Sequence, residues 1–353
     1  MKGFTKEHAL IVKGAMVLLL LFHHLFFGDT ISVMNIETIT DDIETLKEWV
    51  NFGKLCVSGF AFISAYGITL QLLKADSIRE LAKITIARLI KIMSACFFVY
   101  CLAIPYKRFI VHQSIKEIYM DPRGNFQPVF MLIDSLGLAN FFHTPTVNVT
   151  WWYLSFAILL VLFLPAIYLL YTKCRFFLFP LSLFLLTGVA YYAYLGIVIL
   201  GVAFAYENWF EKIEKYVKDK RKNMIFLLLI IFASYITFEI AVNFKDTYLA
   251  MSYVGVIFSM ISMLYLSKIP LLSPFLEFLG TYSADIFMIH TFIYLYFYSD
   301  FIYSFRKTTL IYAALLVLSL FVSILIGQLK RIIKYDILVN KGIKYIQSLL
   351  LNN

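Results

Sequence analysis

Apolar residues dominate long stretches of the chain, and polar positions collect between them in short clusters. Runs such as 224–242 (MIFLLLIIFASYITFEIAV) and 309–327 (TLIYAALLVLSLFVSILIG) approach the ~20 apolar residues that cross a bilayer as one helix. The pattern predicts spans near 9–28, 51–73, 86–106, 150–170, 176–191, 193–208, 224–242, 248–267, 275–297 and 309–329. That is an all-α, polytopic helical membrane protein of about ten transmembrane helices with both termini cytoplasmic. The fifth and sixth spans are short, with their turn around Tyr191–Tyr194. A single crossing there would carry the basic loop 212–222 to the outside. Residues 107–149 form a long outer segment whose apolar patch (VFMLIDSLGLANFF) is set among Pro122, Gly124, Pro128 and Pro145. Too apolar for disorder, the segment is expected to fold back against the bundle.

Composition supports this reading. The chain of 353 residues is 61% hydrophobic and 15% charged, with a mean hydropathy of +0.81. Soluble domains carry roughly 25% charged residues, and a soluble fold of this length could not bury so much apolar surface. The formal net charge of +9 is mostly a topology signal. The clusters Lys74–Lys91, Lys212–Lys222 and Lys330–Lys344 all fall on the inner side, as positive-inside orientation requires. There they also face anionic lipid, and nucleic acid is not a partner. The first span has Phe-Phe and His-His where a signal peptide would have small residues, so it is not a removable leader. Cys56, Cys96, Cys101 and Cys174 form no C-x-x-C pair, which argues against a structural disulfide or metal site. No Walker loop, G-x-S-x-G or dinucleotide-binding glycine motif occurs.

Ionisable side chains within apolar spans are expensive and mark function by default. The first span carries Lys13, His23 and His24. Lys13 and His24 lie eleven residues apart, which puts them about 20° apart on one helical face and about 16 Å apart along the axis. His23 points about 80° away from that face and reads as a hydrogen-bonded packing residue. Lys13 can equally snorkel to inner headgroups, whereas His24 suits a general base. In the ninth span, LGTYSADIFMIHTF, Ser283 and His290 share a face. Each of His24 and His290 stands about 22 Å from the inner surface by helical rise. Asp285 lies about 140° from His290 and is expected to pair elsewhere. Arg88 and Lys91, in ARLIKI, stand three residues apart at the inner start of the third span. They read as a phosphate-binding pair or as positive-inside decoration. Asn148, Trp152 and Tyr153, in NVTWWYLS, open the fourth span from the outside. Its tryptophans also suit an interfacial belt.

These sets, in this order, resemble the acyltransferase-3 family of bacterial integral-membrane O-acyltransferases. Lys13 and His24 match a basic residue followed by ten residues and a histidine, with lysine where arginine is common. Arg88 and Lys91 match an R-x-x-R-like element. Trp152, Tyr153 and Leu154 match W-[FY]-L. Ser283, Ile286 and His290 match S-Y-x-I-Y-L-x-H, from which Ala284, Phe287 and Met288 differ. The resemblance implies a multi-pass enzyme of the bacterial cytoplasmic (inner) membrane. It would move an acyl group, usually acetyl, from cytoplasmic acetyl-CoA or another acyl-CoA to a sugar hydroxyl of an envelope glycan or glycolipid, without a metal. His24, His290 and Ser283 would be catalytic. Lys13, Arg88 and Lys91 would hold the donor, and Asn148, Trp152 and Tyr153 the carbohydrate acceptor. The expected organisation is one membrane-embedded domain over 1–353 with no appended soluble domain. A secondary transporter of a glycan precursor or organic acid is the alternative, although paired Gly/Pro-broken helices in related halves are not evident. A purely structural subunit would have no use for Lys13, His24 and His290 in apolar helices.

Overall fold

The computed structural model describes residues 3–39, 42–185, 190–243 and 248–351. Its first helix, Lys6–Phe26, starts where local chemistry dictates. The Thr5 hydroxyl accepts the amide of His8 at 3.3 Å, and Nδ1 of His8 accepts the amide of Thr5 at 3.0 Å. This reciprocal cap satisfies two of the donors that a helix start leaves open. The helix then runs unbroken through Lys13, His23 and His24.

Among the described residues six helices are long and apolar enough to cross a membrane: Lys6–Phe26, Ile43–Leu72, Ile78–Phe109, Val149–Ser182, Lys220–Ile240 and Thr308–Ile332. Three apolar helices are shorter: Tyr194–Tyr206, Tyr253–Lys268 and Ser283–Phe297. The stretch Trp152–Leu185 is two helices that meet at a kink at Cys174, whose φ of −125° and ψ of 31° leave the helical region, so the break falls in the gap expected between the fourth and fifth spans. One expectation needs correction. Tyr191–Tyr194 is helical rather than a turn, because Ala190–Tyr206 already includes it. The connection at 186–189 lies outside the described residues.

The chain divides into two compact units. One comprises Met1–Lys74, Ala166–Ala284 and Tyr303–Val317; the other comprises Ala75–Pro165, Asp285–Ile302 and Leu318–Asn353. In the first unit Lys6–Phe26 crosses Leu272–Thr281 at backbone contact. A Cβ at Gly14 would stand 2.1 Å from the Leu276 carbonyl oxygen, and one at Gly280 1.9 Å from that of Leu10. Small residues permit such approach between membrane helices, where dispersion rather than water exclusion holds them together. Cys56–Leu72 packs against Ala190–Tyr206 and Tyr248–Leu264. Phe4, Phe62, Tyr66 and Phe210 close one end, with the Phe4 and Phe210 rings stacked at 4.5 Å. The helix Lys220–Asn243 leaves Leu228, Ile231 and Phe232 exposed, a face suited to lipid.

In the second unit Ile78–Phe109 is capped by Ser77, whose hydroxyl accepts the Glu80 amide. The C-terminal helix Tyr335–Leu351 lies beside it, with the Tyr335 hydroxyl donating to Ser94 O at 2.7 Å and Gln347 Nε2 to Lys83 O at 2.8 Å. Asp285 pairs with Lys330 at 2.7 Å, away from His290 as its angular position predicted. Residues 110–149 are ordered against this unit, as their composition led us to expect. The turn 121–125 is closed by Asp121, whose carboxylate accepts the amides of Arg123 and Asn125, both at 2.9 Å, and Gln127 Nε2 at 2.8 Å. The helix Pro128–Ser135 follows.

Candidate active site

The site is best built from the segment that precedes the stretch Trp152–Leu185. Asp134, fully buried at the end of Pro128–Ser135, accepts the Tyr119 hydroxyl at 2.7 Å, the Thr146 hydroxyl at 2.7 Å and the Val147 amide at 2.8 Å. Burial pushes its carboxyl above the ordinary aspartate value, against the opposing effect of these donors. Two parts of the segment, at Tyr119 and at Thr146–Val147, converge on this one side chain, which sets the path of 146–148 into Asn148. Lys107 lies below that turn with its ammonium buried, 4.1 Å from the Tyr296 ring centroid and 3.3 Å from Gln113 Oε1. The Tyr296 hydroxyl accepts the Val149 amide at 3.3 Å.

Asn148 caps the following turn. Its Oδ1 accepts the Thr150 amide at 3.0 Å and the Thr150 hydroxyl at 2.8 Å, while its Nδ2 donates to Met288 O at 3.4 Å. Trp151 Nε1 donates to the same carbonyl at 3.1 Å. The helix that carries Met288 and His290, Ser283–Thr291, gives way to a π-helix at Phe292–Phe297. Such departures from α geometry occur frequently at functional sites.

His290 has 0% of its surface exposed. Its Nδ1 lies 2.8 Å from Phe287 O and 3.1 Å from Ile286 O. Carbonyl oxygens only accept, so Nδ1 carries a proton. Nε2 then faces the Thr291 hydroxyl at 3.2 Å, and that hydroxyl meets the Thr150 hydroxyl at 2.8 Å. A buried chain thus runs from His290 through Thr291 and Thr150 to Asn148. Beside the Asn148 turn is a cavity of about 110 Å³ whose lining includes Asp134, Asn140, His143, Thr146, Trp151 and Trp152.

Of the residues singled out in the sequence, His290, Asn148, Trp152, Tyr153, Arg88 and Lys91 belong to the second unit. His290 and Asn148 are brought together by the two threonines. Trp152 lines the cavity, and the Tyr153 ring meets Phe287 edge-on at 5.4 Å. Arg88 is half-buried and Lys91 exposed, nineteen and sixteen positions before Lys107 on one helix, or about 28 and 24 Å by helical rise. Lys13, His24 and Ser283 belong to the first unit. Lys13 and His24 are half-buried and Ser283 is buried. His23, as expected of a packing residue, is buried with Nδ1 2.8 Å from Val50 O. Sequence reasoning did not single out Thr150, Thr291, Asp134 or Lys107. The two threonines were visible only as hydroxyls adjoining Asn148 and His290, and Asp134 as the one acid in an apolar patch.

The model of a known family, described as the acyltransferase-3 acyltransferase domain, matches residues 11–328. No curated protein and no solved structure matches the chain. The matched span holds every candidate residue, from Lys13 to His290. The chain belongs to the acyltransferase-3 family and is a multi-pass membrane acyltransferase.

Proposed function

We propose that the protein moves an acyl group, acetyl in the simplest case, from cytoplasmic acyl-CoA to a sugar hydroxyl. The acceptor is an envelope or extracellular polysaccharide or its lipid-linked precursor. The enzyme works as one domain over 1–353 in the bacterial cytoplasmic membrane, crossing it ten times with both termini inside. The observation that carries this reading is the buried His290, with Nδ1 held by backbone carbonyls so that Nε2 is the basic nitrogen. It is linked to a turn beside a cavity lined by tryptophan, asparagine, histidine and threonine. Aromatic faces with hydroxyl and amide groups suit a sugar ring.

Each residue has a role in this scheme. Arg88 and Lys91, with Lys13, hold the phosphates of the donor at the cytoplasmic side. His24 and His290 manage the proton of the attacking hydroxyl, and Ser283 supports His290 from the start of its helix. Trp152 and Tyr153 receive the sugar, while Asn148 holds the turn that presents it.

The test is transfer of label from radioactive acetyl-CoA to glycan in native membranes. His290→Ala should lower the rate by at least about a hundredfold, in line with loss of a general base, with protein abundance unchanged. Transfer at the parental rate in that variant would remove His290 from the chemistry.

A further inference from the structure

The chain from His290 to Asn148 contains three links. They are Nε2 of His290 to Oγ1 of Thr291 at 3.2 Å, Thr291 Oγ1 to Thr150 Oγ1 at 2.8 Å, and Thr150 Oγ1 to Asn148 Oδ1 at 2.8 Å. Each link needs one proton between its two atoms. The amide of Asn148 cannot be turned round to supply one. Its Nδ2 faces Met288 O, and its Oδ1 faces the Thr150 N–H. The two hydroxyls contribute one proton each. The ring's Nδ1 proton is directed at the carbonyls of Ile286 and Phe287. With His290 neutral, three links therefore share two protons. An imidazolium supplies the third: Nε2–H donates to Thr291, Thr291 to Thr150, and Thr150 to Asn148 Oδ1. The network is complementary to the protonated histidine.

We propose that Thr150 and Thr291 form a proton relay that carries the acceptor's proton from the Asn148–Trp151 turn to the buried ring of His290. The proposal rests on the acyl-transfer reading above. His290 has no exposed surface, and Thr150 lies between Val149 and Trp151, which both line the cavity. The Thr150 end of the chain is the one that adjoins the cavity. The acceptor O–H bond breaks and a new O–H bond forms at Thr150 Oγ1. The proton that Thr150 held passes to Thr291 Oγ1, and the one Thr291 held passes to Nε2. The new Thr150 proton turns to Asn148 Oδ1, which fills the empty link. The acceptor oxygen uses its freed electron pair to bond to the acyl carbon of the thioester. The C–S bond breaks with its pair on sulfur, and the proton held on the imidazolium neutralises the departing thiolate. Asn148 is a positioning residue here: it holds the final acceptor of the chain in place.

The test uses native membranes with their endogenous acceptor and radioactive acetyl-CoA as probe, in Thr150→Val, Thr291→Val, Thr150→Ser and Thr291→Ser variants. Valine keeps the shape and removes the hydroxyl; serine keeps the hydroxyl. The valine variants should lose at least about tenfold in kcat, a part of the general-base effect, with KM for acetyl-CoA and melting temperature unchanged. The serine variants should recover most of the rate. In mixtures of H2O and D2O the parent and serine variants should give a curved rate dependence, from several protons in flight, and the valine variants should not. Valine variants with parental kcat and the same curvature, beside an inactive His290→Ala, would overturn the relay and leave the acyl-transfer reading intact. Serine variants as slow as the valine ones would overturn it too, because packing alone would then explain the loss. Parental activity in His290→Ala, or no label transfer by parental membranes, would overturn the acyl-transfer reading and the relay with it.

Discussion

His23 and His24 are neighbours in the chain with separate surroundings. Helical geometry turns their side chains about 100° apart. His23 is buried with its Nδ1 on the Val50 carbonyl, whereas His24 is half-buried. His24→Ala should remove glycan acylation with little change in stability. His23→Ala should keep much of the activity and lower stability by about 1–3 kcal/mol, because it opens a gap and leaves a buried carbonyl without its donor. Label transfer and thermal melting of the purified pair check both outcomes. Equal loss of transfer in the two variants at equal stability would mean that the two rings share one task. The spacing of Lys13 and His24 was legible because an unbroken helix converts residue number into angle. The hydroxyl chain was not legible. Thr69, Thr85 and Ser259 also lie in apolar helices, and their hydroxyls simply bond back to the carbonyl four residues earlier. That local habit is the ordinary fate of such residues. Only the meeting of Thr150 with Thr291, 141 positions away, distinguishes this pair.

At the scale of elements, hydropathy located the helices better than their breaks. Phe292–Phe297 reads FIYLYF, apolar or aromatic at every position, so no polar residue marks the change from α to π geometry. The kink at Cys174, by contrast, stands between Lys173 and Arg175, in the polar gap where the sequence separates the fourth and fifth spans. The order in 110–149 was expected from its composition, but its centre at Asp134 was not, since the donors come from 12 to 15 positions away, beyond any helical period. Asp134 makes a pH prediction possible. Burial raises its carboxyl above the ordinary value of 3.8, so the folded protein holds the proton more tightly than the unfolded chain does. The stability this contributes is complete below that value and is lost as pH rises through the folded one. Asp134→Asn stays neutral throughout. Its melting temperature should therefore gain on the parent's as pH rises above about 4. A variant that instead falls further behind as pH rises would mean that the three donors outweigh burial and hold the group as a carboxylate.

For the whole molecule, the mechanism depends on which side of the membrane each polar set meets, and charge is the only feature of the sequence that orients the chain. The loop 209–223 carries the cluster Lys212–Lys222 and is assigned to the cytoplasm by positive-inside bias. The segment 107–149 is expected on the opposite side although Lys107, Arg108, Lys116 and Arg123 are basic. One of these, Lys107, is buried over Tyr296 and Phe292, where it belongs to the site rather than to the orienting charge. Asn125 and Lys218 are both exposed and serve as reporters. The exposed Cys101 and Cys174 are first replaced by alanine so that neither competes. A cysteine at position 125 should then react with a membrane-impermeant thiol reagent in intact cells, and one at position 218 only after the membrane is opened. Retained transfer activity in each labelled background shows that the fold is unchanged. Labelling of position 218 in sealed cells would invert the later spans. The turn at Asn148 and the pair Arg88 and Lys91 occupy opposite ends of one unit, so labelling of position 125 only in opened cells would put the cavity on the donor's side. Acyl transfer would then need no passage through the bilayer.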